Sequence, residues 1–195
     1  MLRTSAVIAG VLSLLPPASR AEDASDLAKK LSNPVAALIS VPLQLNYDSH
    51  YGTAESGHKT YLNVQPVVPI TLNAEWNVIS RTILPIVSQD GVVPGSDESG
   101  IGDIVQSFFF SPKAPTTGGI VWGVGPVFML PTGSDDHLSA RKWGLGPTAV
   151  VLKQNGPWTV GGLANLIWGQ GGEGDRPDVS ATFLQPFVSY TTPTA

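Results

Sequence analysis

Residues 61–87 alternate between apolar and polar side chains along two long limbs. In the first limb, one face is apolar and the other is mainly polar. The apolar face carries Leu62, Val64, Pro66, Val68, Ile70 and Leu72, and the other carries Tyr61, Asn63, Gln65, Val67 and Thr71. This alternation over about a dozen residues is roughly twice the length of an ordinary soluble strand. Long limbs with an apolar face and a tight connection at residues 73–75 are what a transmembrane β-hairpin requires, because lipid cannot satisfy exposed backbone groups.

The second limb, residues 76–87, is less regular. Its register predicts Asn77 and Arg81 on the inner face, and Trp76, Val78, Leu84 and Ile86 on the outer face, where Ser80 and Thr82 also point. Since a soluble sandwich also contains an occasional hairpin of this kind, the membrane interpretation depends on whether the pattern recurs.

The pattern recurs along the chain. It predicts eight strands, near residues 35–47, 61–72, 76–87, 101–110, 120–130, 143–153, 158–168 and 179–190. In the fourth of these, Gln106 falls on the apolar side. The connections after the first, third, fifth and seventh strands are long and mostly acidic, whereas the others are short. Bacterial outer-membrane barrels show this asymmetry. We therefore predict an all-β fold, an antiparallel up-and-down transmembrane β-barrel over residues 35–195.

Tryptophans lie where such a barrel needs interfacial aromatic side chains. The predicted aromatic girdle comprises Trp76, Trp122, Trp158 and Trp168. Trp158 and Trp168 share one strand, and their separation is about 33 Å along it, or about 25 Å of height at a tilt of ~40°. That height matches the apolar band of an outer membrane.

The N-terminus predicts export. Arg3, an apolar run over residues 6–15 and the small residues Ser19 and Ala21 are typical of a signal peptide over residues 1–21. A buried helix start is the alternative. The run is shorter than the ~20 residues that a membrane helix needs. Residues 22–34 then form a periplasmic N-terminal segment, in which Ser25 or Asp26 could cap a short helix. A tether is favoured there over a position at the barrel mouth.

Composition excludes several kinds of chemistry. The chain has 11 Lys and Arg against 15 Asp and Glu, so it lacks the basic surface that nucleic acid requires. The absence of cysteine excludes thiol catalysis, disulfides and cysteine-ligated metals. No GxSxG motif or Ser/His/acid spacing indicates a nucleophile. We expect no enzymatic activity, no catalytic residue and no cofactor.

Two glycine motifs and three histidines are weaker signals. Gly123-x-Gly-Pro126 and Gly144-x-Gly-Pro147, each preceded by tryptophan, form an internal repeat. Neither precedes a helix, so a phosphate loop is disfavoured. Glycines that relieve crowding at a narrow lumen are preferred. His50, His58 and His137 lie in loops without ligand spacing, and no metal site is predicted.

The acidic loops have two readings. Their clusters are Asp97 with Glu98, Asp135 with Asp136, and Glu173 with Asp175 and Asp178. They either hold divalent cations that bridge lipopolysaccharide phosphates or form a solvated face, which is favoured.

Polar side chains on the inner face predict the lining of a lumen. The candidates are Arg81, Asp103, Gln44, Asn63, Gln65, Asn77, Asn165 and Gln185. A charge facing lipid costs about 2–4 kcal/mol for Arg at the bilayer midplane, so Arg81 and Asp103 should face inward. They either set selectivity or form a structural ion pair, and the structural role is slightly favoured.

In-strand prolines oppose the barrel interpretation. Each of them removes one ladder donor, and a closed barrel has no edge to accommodate it. They are Pro42, Pro66, Pro69, Pro85, Pro126, Pro147 and Pro186.

Several ordered blocks resemble a known family. They are NPVAALISVPLQ (33–44), WNVISRTILPI (76–86), GIGDIVQSFFFSPK (100–113), GPVFMLPT (125–132), GPTAVVLKQNGPWTVGGLAN (146–165) and FLQPFVSYTT (183–192). They are similar to the proteobacterial outer-membrane transporter-like β-barrel family, known as phenol meta-pathway degradation proteins and as "neuromedin U". The resemblance implies a barrel that passes or senses hydrophobic compounds. Such proteins continue for further strands, so it also implies that this chain is a fragment of a roughly twelve-stranded barrel, although an eight-stranded variant is the alternative.

These inferences lead to one expected function and two alternatives. We expect an outer-membrane channel or transporter, in a Gram-negative bacterium, for small hydrophobic or aromatic molecules. Its partners would be outer-membrane lipid, lipopolysaccharide, those solutes and the barrel-assembly machinery. The alternatives are a non-transporting structural or adhesive barrel and a secreted soluble β-barrel carrier.

Overall fold

The computed structural model describes residues 5–12, 21–51, 55–93 and 96–192, and within them the protein is all-β with one short helix. The helix α1 spans Ala21–Leu31. The strands are β1 (Ser5–Leu12), β2 (Val41–Tyr51), β3 (Gly57–Val64), β4 (Val67–Thr71), β5 (Trp76–Val93), β6 (Ser96–Ile101), β7 (Ile104–Pro112), β8 (Ile120–Leu130), β9 (Lys142–Asn155), β10 (Trp158–Gly172) and β11 (Ser180–Tyr190).

The strands form one antiparallel curled sheet, a half-barrel. Its order is β1-β2-β3-β5-β7-β8-β9-β10-β11, and β4 and β6 both pair with β5. From β2 onward, each strand of this order pairs with the strand that follows it in the order, and the order is that of the chain. The up-and-down arrangement predicted from the alternation is therefore confirmed. Residues 73–75, 113–119 and 156–157 connect limbs at one end of the sheet, here called the short-turn end. The opposite end is the long-loop end.

The predicted first strand begins too early. Residues 35–40 leave the sheet, and β2 starts only at Val41, with Ser40 making an isolated bridge to Val67. Val35 is 5% exposed, and its side chain packs in the apolar core on the concave side of the sheet. Burial of the Val35 side chain against the curled sheet is more favourable than continuing the strand through residues 35–40.

The limb over residues 61–72 is two strands rather than one. The break falls at Gln65 and Pro66, where the Gln65 N–H donates to the carbonyl of Pro42 and the Thr82 N–H donates to that of Pro66. Pro66, which has no N–H to donate, therefore lies in the interruption between β3 and β4, and its carbonyl still accepts a hydrogen bond. The predicted faces are nevertheless correct, because Val68 and Ile70 are exposed whereas Gln65 is buried.

The predicted long loop over residues 88–100 is largely a hairpin. β5 continues to Val93, and β6 returns along it, with Ile86 opposite Ile101 and Gln89 opposite Glu98. This extension carries the sheet further at the long-loop end than the apolar pattern indicated.

The core lies on the concave face near the short-turn end. It is formed by Val35, Val67, Ile79, Phe109, Val150, Leu152 and Leu163, with Val121 and Phe187 packed against it. The last residues of α1 and the turn after it reach the same end. Gln154 donates to the carbonyl of Lys29 at 2.8 Å, and the hydroxyls of Ser32 and Thr159 lie 2.9 Å apart.

The N-terminal segment therefore occupies the mouth of the half-barrel. The prediction of a plain tether for residues 22–34 is wrong, since these hydrogen bonds and Val35 fix the segment to the sheet. The helix also begins at Ala21, so Ser25 and Asp26 lie inside it rather than at its cap.

β1 pairs antiparallel with β2, from Ser5 opposite Asp48 to Leu12 opposite Val41.

The signal peptide over residues 1–21 stays a prediction. Ser19 of its cleavage motif and the terminal Thr194-Ala195 lie outside the described residues. Among the described residues, none of the helical structure is long and apolar enough to cross a membrane.

The convex face of the sheet is apolar and uncovered. Its exposed side chains include Leu45, Val68, Ile70, Leu72, Ile86, Phe110, Val124, Leu145, Val151, Val160, Val188 and Tyr190. Monomeric soluble proteins rarely expose an apolar surface of this extent.

Candidate lumen site

The concave face turns polar at Arg81, in the middle of the sheet. Arg81 is on β5, opposite Val67 of β4 and Ser107 of β7, and is 7% exposed. Its Nη2 donates to Oε1 of Gln65, and its buried Nη1 has no hydrogen-bond partner among the described residues. The alternation of β5 places Arg81 inward, as predicted, between the inward Ile79 and Ile83.

A chain of side-chain amides continues from Arg81. Gln65 Nε2 donates to Gln44 Oε1 at 2.7 Å, and Gln44 Nε2 donates to Asn46 Oδ1 at 3.0 Å. Asn46 Nδ2 in turn reaches the carbonyls of Gln44 and Tyr61. Because a guanidinium offers only donors, it fixes the orientation of the Gln65 amide, and each later amide follows. Asn46 was not among the predicted lining residues, although it shares the inward register of Gln44.

Two cavities flank Arg81. The larger, of about 430 Å³, runs between β2, β3, β5 and β11 and is lined by Gln44, Asn46, Tyr61, Asn63, Gln65, Arg81, Ile83, Phe183, Leu184, Gln185 and Pro186. The smaller cavity, of about 260 Å³, is also lined by residues 30–34 and Ala36 of the N-terminal segment and by Val67, Leu163 and Phe187. Five predicted lining residues meet here: Arg81, Gln44, Gln65, Gln185 and, in the larger cavity, Asn63.

Two predicted lining residues are buried elsewhere on the concave face. Asn165 accepts a hydrogen bond from the Thr148 hydroxyl at 2.6 Å on the neighbouring strand. Asn77 lies near the short-turn end, opposite Ser111. Neither of them lines the two cavities around Arg81.

Asp103 is a loop anchor. Its Oδ1 accepts hydrogen bonds from the Gly133 N–H at 3.0 Å and the Ser139 hydroxyl at 2.7 Å, and its Oδ2 accepts one from the Ala140 N–H at 2.7 Å. The carboxylate thus holds the long loop between β8 and β9. The predicted ion pair with Arg81 is wrong, because both oxygens of Asp103 are engaged by this loop.

Ionic contacts tie the long loops together. His137 Nδ1 lies 3.1 Å from Glu98 Oε1 and 3.3 Å from Asp135 Oδ1. These three side chains come close enough to ligate one cation, a grouping that the sequence spacing did not reveal because Glu98 belongs to another hairpin. Asp136 contacts Arg141 at 2.8 Å and Arg176 at 3.5 Å, and Lys142 contacts Asp178 at 3.0 Å.

Aromatic side chains cluster at the two ends of the convex face. At the short-turn end, Trp76 packs edge-on against Trp122, and Trp158 against Tyr190, with centroid separations of 5.9 Å and 4.8 Å. At the long-loop end, Trp143 and Trp168 are both exposed. Trp143 was missing from the predicted girdle, although it stands in the same outward register as Leu145.

The outward Gln106, a misfit in the sequence pattern, belongs to a closed hydrogen-bond cluster. It accepts from the Thr82 hydroxyl at 2.6 Å and donates to the Ser80 hydroxyl at 3.0 Å and the Ser107 carbonyl at 3.1 Å. The three outward polar side chains therefore satisfy one another, which is how polar groups are tolerated on an apolar face.

The fold and this site define a class: an antiparallel half-barrel with an apolar convex face and a polar, arginine-containing pocket on its concave face. No family model matches the chain, and comparisons with curated proteins and with solved structures give no match.

Proposed function

We infer that the chain forms a transmembrane β-barrel in the outer membrane of a Gram-negative bacterium and acts there as a channel for small hydrophobic or aromatic molecules. The observation that carries this proposal is the contrast between the two faces of the sheet. Val68, Ile70, Trp158 and Trp168 are between 40% and 49% exposed on the convex side, whereas Arg81 and its amides lie inside. This apolar-out and polar-in arrangement is that of outer-membrane barrels.

The aromatic clusters support the membrane orientation. Trp158 is the first residue of β10, and Trp168 lies towards its other end. Side chains of this kind favour the membrane–water interface because one part of the ring is apolar and its N–H is polar. The ion pairs of the described residues lie at the long-loop end, which corresponds to the external side of such barrels. The resemblance to outer-membrane transporter-like proteins is consistent with the same proposal. The chemistry is passage of a solute, without a covalent step.

A non-transporting barrel is the second candidate, because Val35 packs into the core on the concave side and its neighbours in the N-terminal segment line the cavity beside it. Passage then requires the N-terminal segment to move. Lipopolysaccharide and the barrel-assembly machinery remain proposed partners in either case.

Reconstitution separates these functions. The full chain is expected to stay with membranes after a carbonate wash, to change its gel mobility on heating and to make liposomes permeable to small aromatic solutes. Release by carbonate would instead support a secreted soluble carrier. A membrane-embedded, heat-modifiable protein whose liposomes stay sealed would support the structural barrel.

A further inference from the structure

Arg81 carries a positive charge that no carboxylate of the described chain neutralises. Asp103, the acid predicted to pair with Arg81, is engaged by the loop between β8 and β9, and Arg81 makes its side-chain hydrogen bond to the neutral Gln65. A buried charge without a counter-charge is costly. Such a group at a cavity is therefore a candidate binding residue rather than a structural one.

The second nitrogen of the guanidinium indicates what would bind. Nη1 is buried and has no hydrogen-bond partner within the described part of the chain, while the residue lines both cavities. A planar guanidinium with one free N–H edge matches the geometry of a carboxylate oxygen.

The surrounding amides favour an anion over a cation. The side-chain oxygens of Gln65, Gln44 and Asn46 already accept hydrogen bonds within the chain, whereas the amide nitrogens of Gln65 and Gln44 donate once each and keep a second N–H. Asn63 and Gln185 add two more amides to the larger cavity. The site therefore offers spare donors around one positive charge.

The remaining walls are apolar. Ile83, Phe183 and Pro186 line the larger cavity, and Leu163 and Phe187 line the smaller one. A volume of about 430 Å³ is within the ~300–1,000 Å³ of small-molecule sites. One charge, several donors and apolar walls suit a ligand with a single anionic head and a hydrocarbon body.

We propose that Arg81, with Gln65, Gln44, Asn63 and Gln185, forms a binding site for the carboxylate of a small monocarboxylate whose apolar body contacts Ile83 and Phe183. The inference deepens the proposed function, since it names the class of solute that the lumen selects.

Binding is measured by isothermal titration calorimetry on the folded full chain in detergent. The probes are benzoate and benzamide, which match in shape and differ in charge. Benzoate is expected to bind at least tenfold more tightly. Arg81→Gln should weaken benzoate about 10- to 100-fold, as expected for a charged hydrogen bond, and change benzamide less than about twofold. The control Arg141→Gln removes a loop cation paired with Asp136 and should change neither.

Equal binding of benzoate and benzamide to the natural protein would overturn the site, and so would unchanged benzoate binding by a folded Arg81→Gln variant. If that variant does not fold, the preference of the natural protein for benzoate over benzamide still tests the site. Arg81→Lys, which keeps the charge without the planar guanidinium, should then bind benzoate with an affinity between those of the natural protein and of a protein without the charge. Arg81-dependent binding with sealed liposomes would refute the channel and keep the site. Permeable liposomes without Arg81-dependent binding would support the channel and refute the site.

Discussion

Pro126 lies directly opposite Pro147 in the ladder between β8 and β9. The pairing of β7 with β8 skips Gly125 and Pro126, and that of β9 with β10 skips Gly146 and Pro147. Each proline thus faces a local gap, where no ladder donor is required. In the sequence, the prolines of the two Gly-Pro motifs opposed a barrel. In the structure, both lie where the neighbouring ladder is interrupted, so the sheet does not need the two backbone N–H groups that they lack.

The glycine before Pro147 is expected to be intolerant of a side chain. A Cβ at Gly146 would overlap the carbonyl oxygen of Leu166, which belongs to the backbone and cannot turn aside. Gly146→Ala should destabilise the fold by about 1–3 kcal/mol, as overpacking does, measured by urea unfolding. Gly118→Ala, where the nearest atom is 3.9 Å away, is the matched control. Equal stability of the two variants would show that Gly146 does not pack closely against the Leu166 carbonyl.

A charge on the convex face distinguishes lipid from water. Val151 is 52% exposed near the middle of β9. In a bilayer, Val151→Arg should lower the free energy of unfolding by about 2–4 kcal/mol, whereas in a soluble protein the same exposed change stays within about 0.5 kcal/mol. Unfolding from lipid vesicles measures the difference. Asn155→Arg, beside the short turn, should cost little in both cases, and a small effect at Val151 would count against the membrane proposal.

Removing the charge of Asp103 should release the loop between β8 and β9. Asp103→Asn weakens three hydrogen bonds, to Gly133, Ser139 and Ala140, with an expected cost of about 1–3 kcal/mol. Limited proteolysis should then cut residues 131–141 faster. Glu75→Gln, which removes an exposed carboxylate in a short turn, gives the same change in net charge and should leave that cleavage unchanged. Equal cleavage rates would show that the carboxylate does not anchor the loop.

The N-terminal segment is expected to control passage. Val35 packs in the concave core, whereas Ile39 is 70% exposed. Val35→Asp should loosen residues 32–38 and raise the conductance of single channels in planar bilayers, and Ile39→Asp should not. Unchanged conductance of a folded Val35→Asp variant would mean that the segment does not occlude the path.

Alternation was sufficient to predict the eight limbs, their order and their faces. It fixes which side chains point together, and burial of Asn77, Arg81 and Gln65 agrees with the predicted inward register. Alternation could not reveal that residues 35–40 turn inward, since Ile39 and Val41 continue the same pattern. That departure is decided by tertiary packing of Val35, which no local pattern encodes.

The candidate site was only partly predictable. Inward polarity identified Arg81, Gln44 and Gln65, but the partner of a side chain depends on register between strands. Asp103 immediately precedes β7, the strand beside β5, but it is level with Pro85, about four residues, or roughly 13 Å, further along β5 than Arg81. The contact of His137, in the loop between β8 and β9, with Glu98 of β6 carries no spacing signal in the sequence.

The order of the amides beside Arg81 has an electrostatic consequence. The carbonyl end of Gln65, then of Gln44, then of Asn46 is directed toward the guanidinium, so three side-chain dipoles add head to tail with their negative poles nearest the cation. Dipoles of this kind stabilise a charge without cancelling it. The positive charge of Arg81 is therefore kept beside the two cavities that it lines, where it acts on whatever enters them.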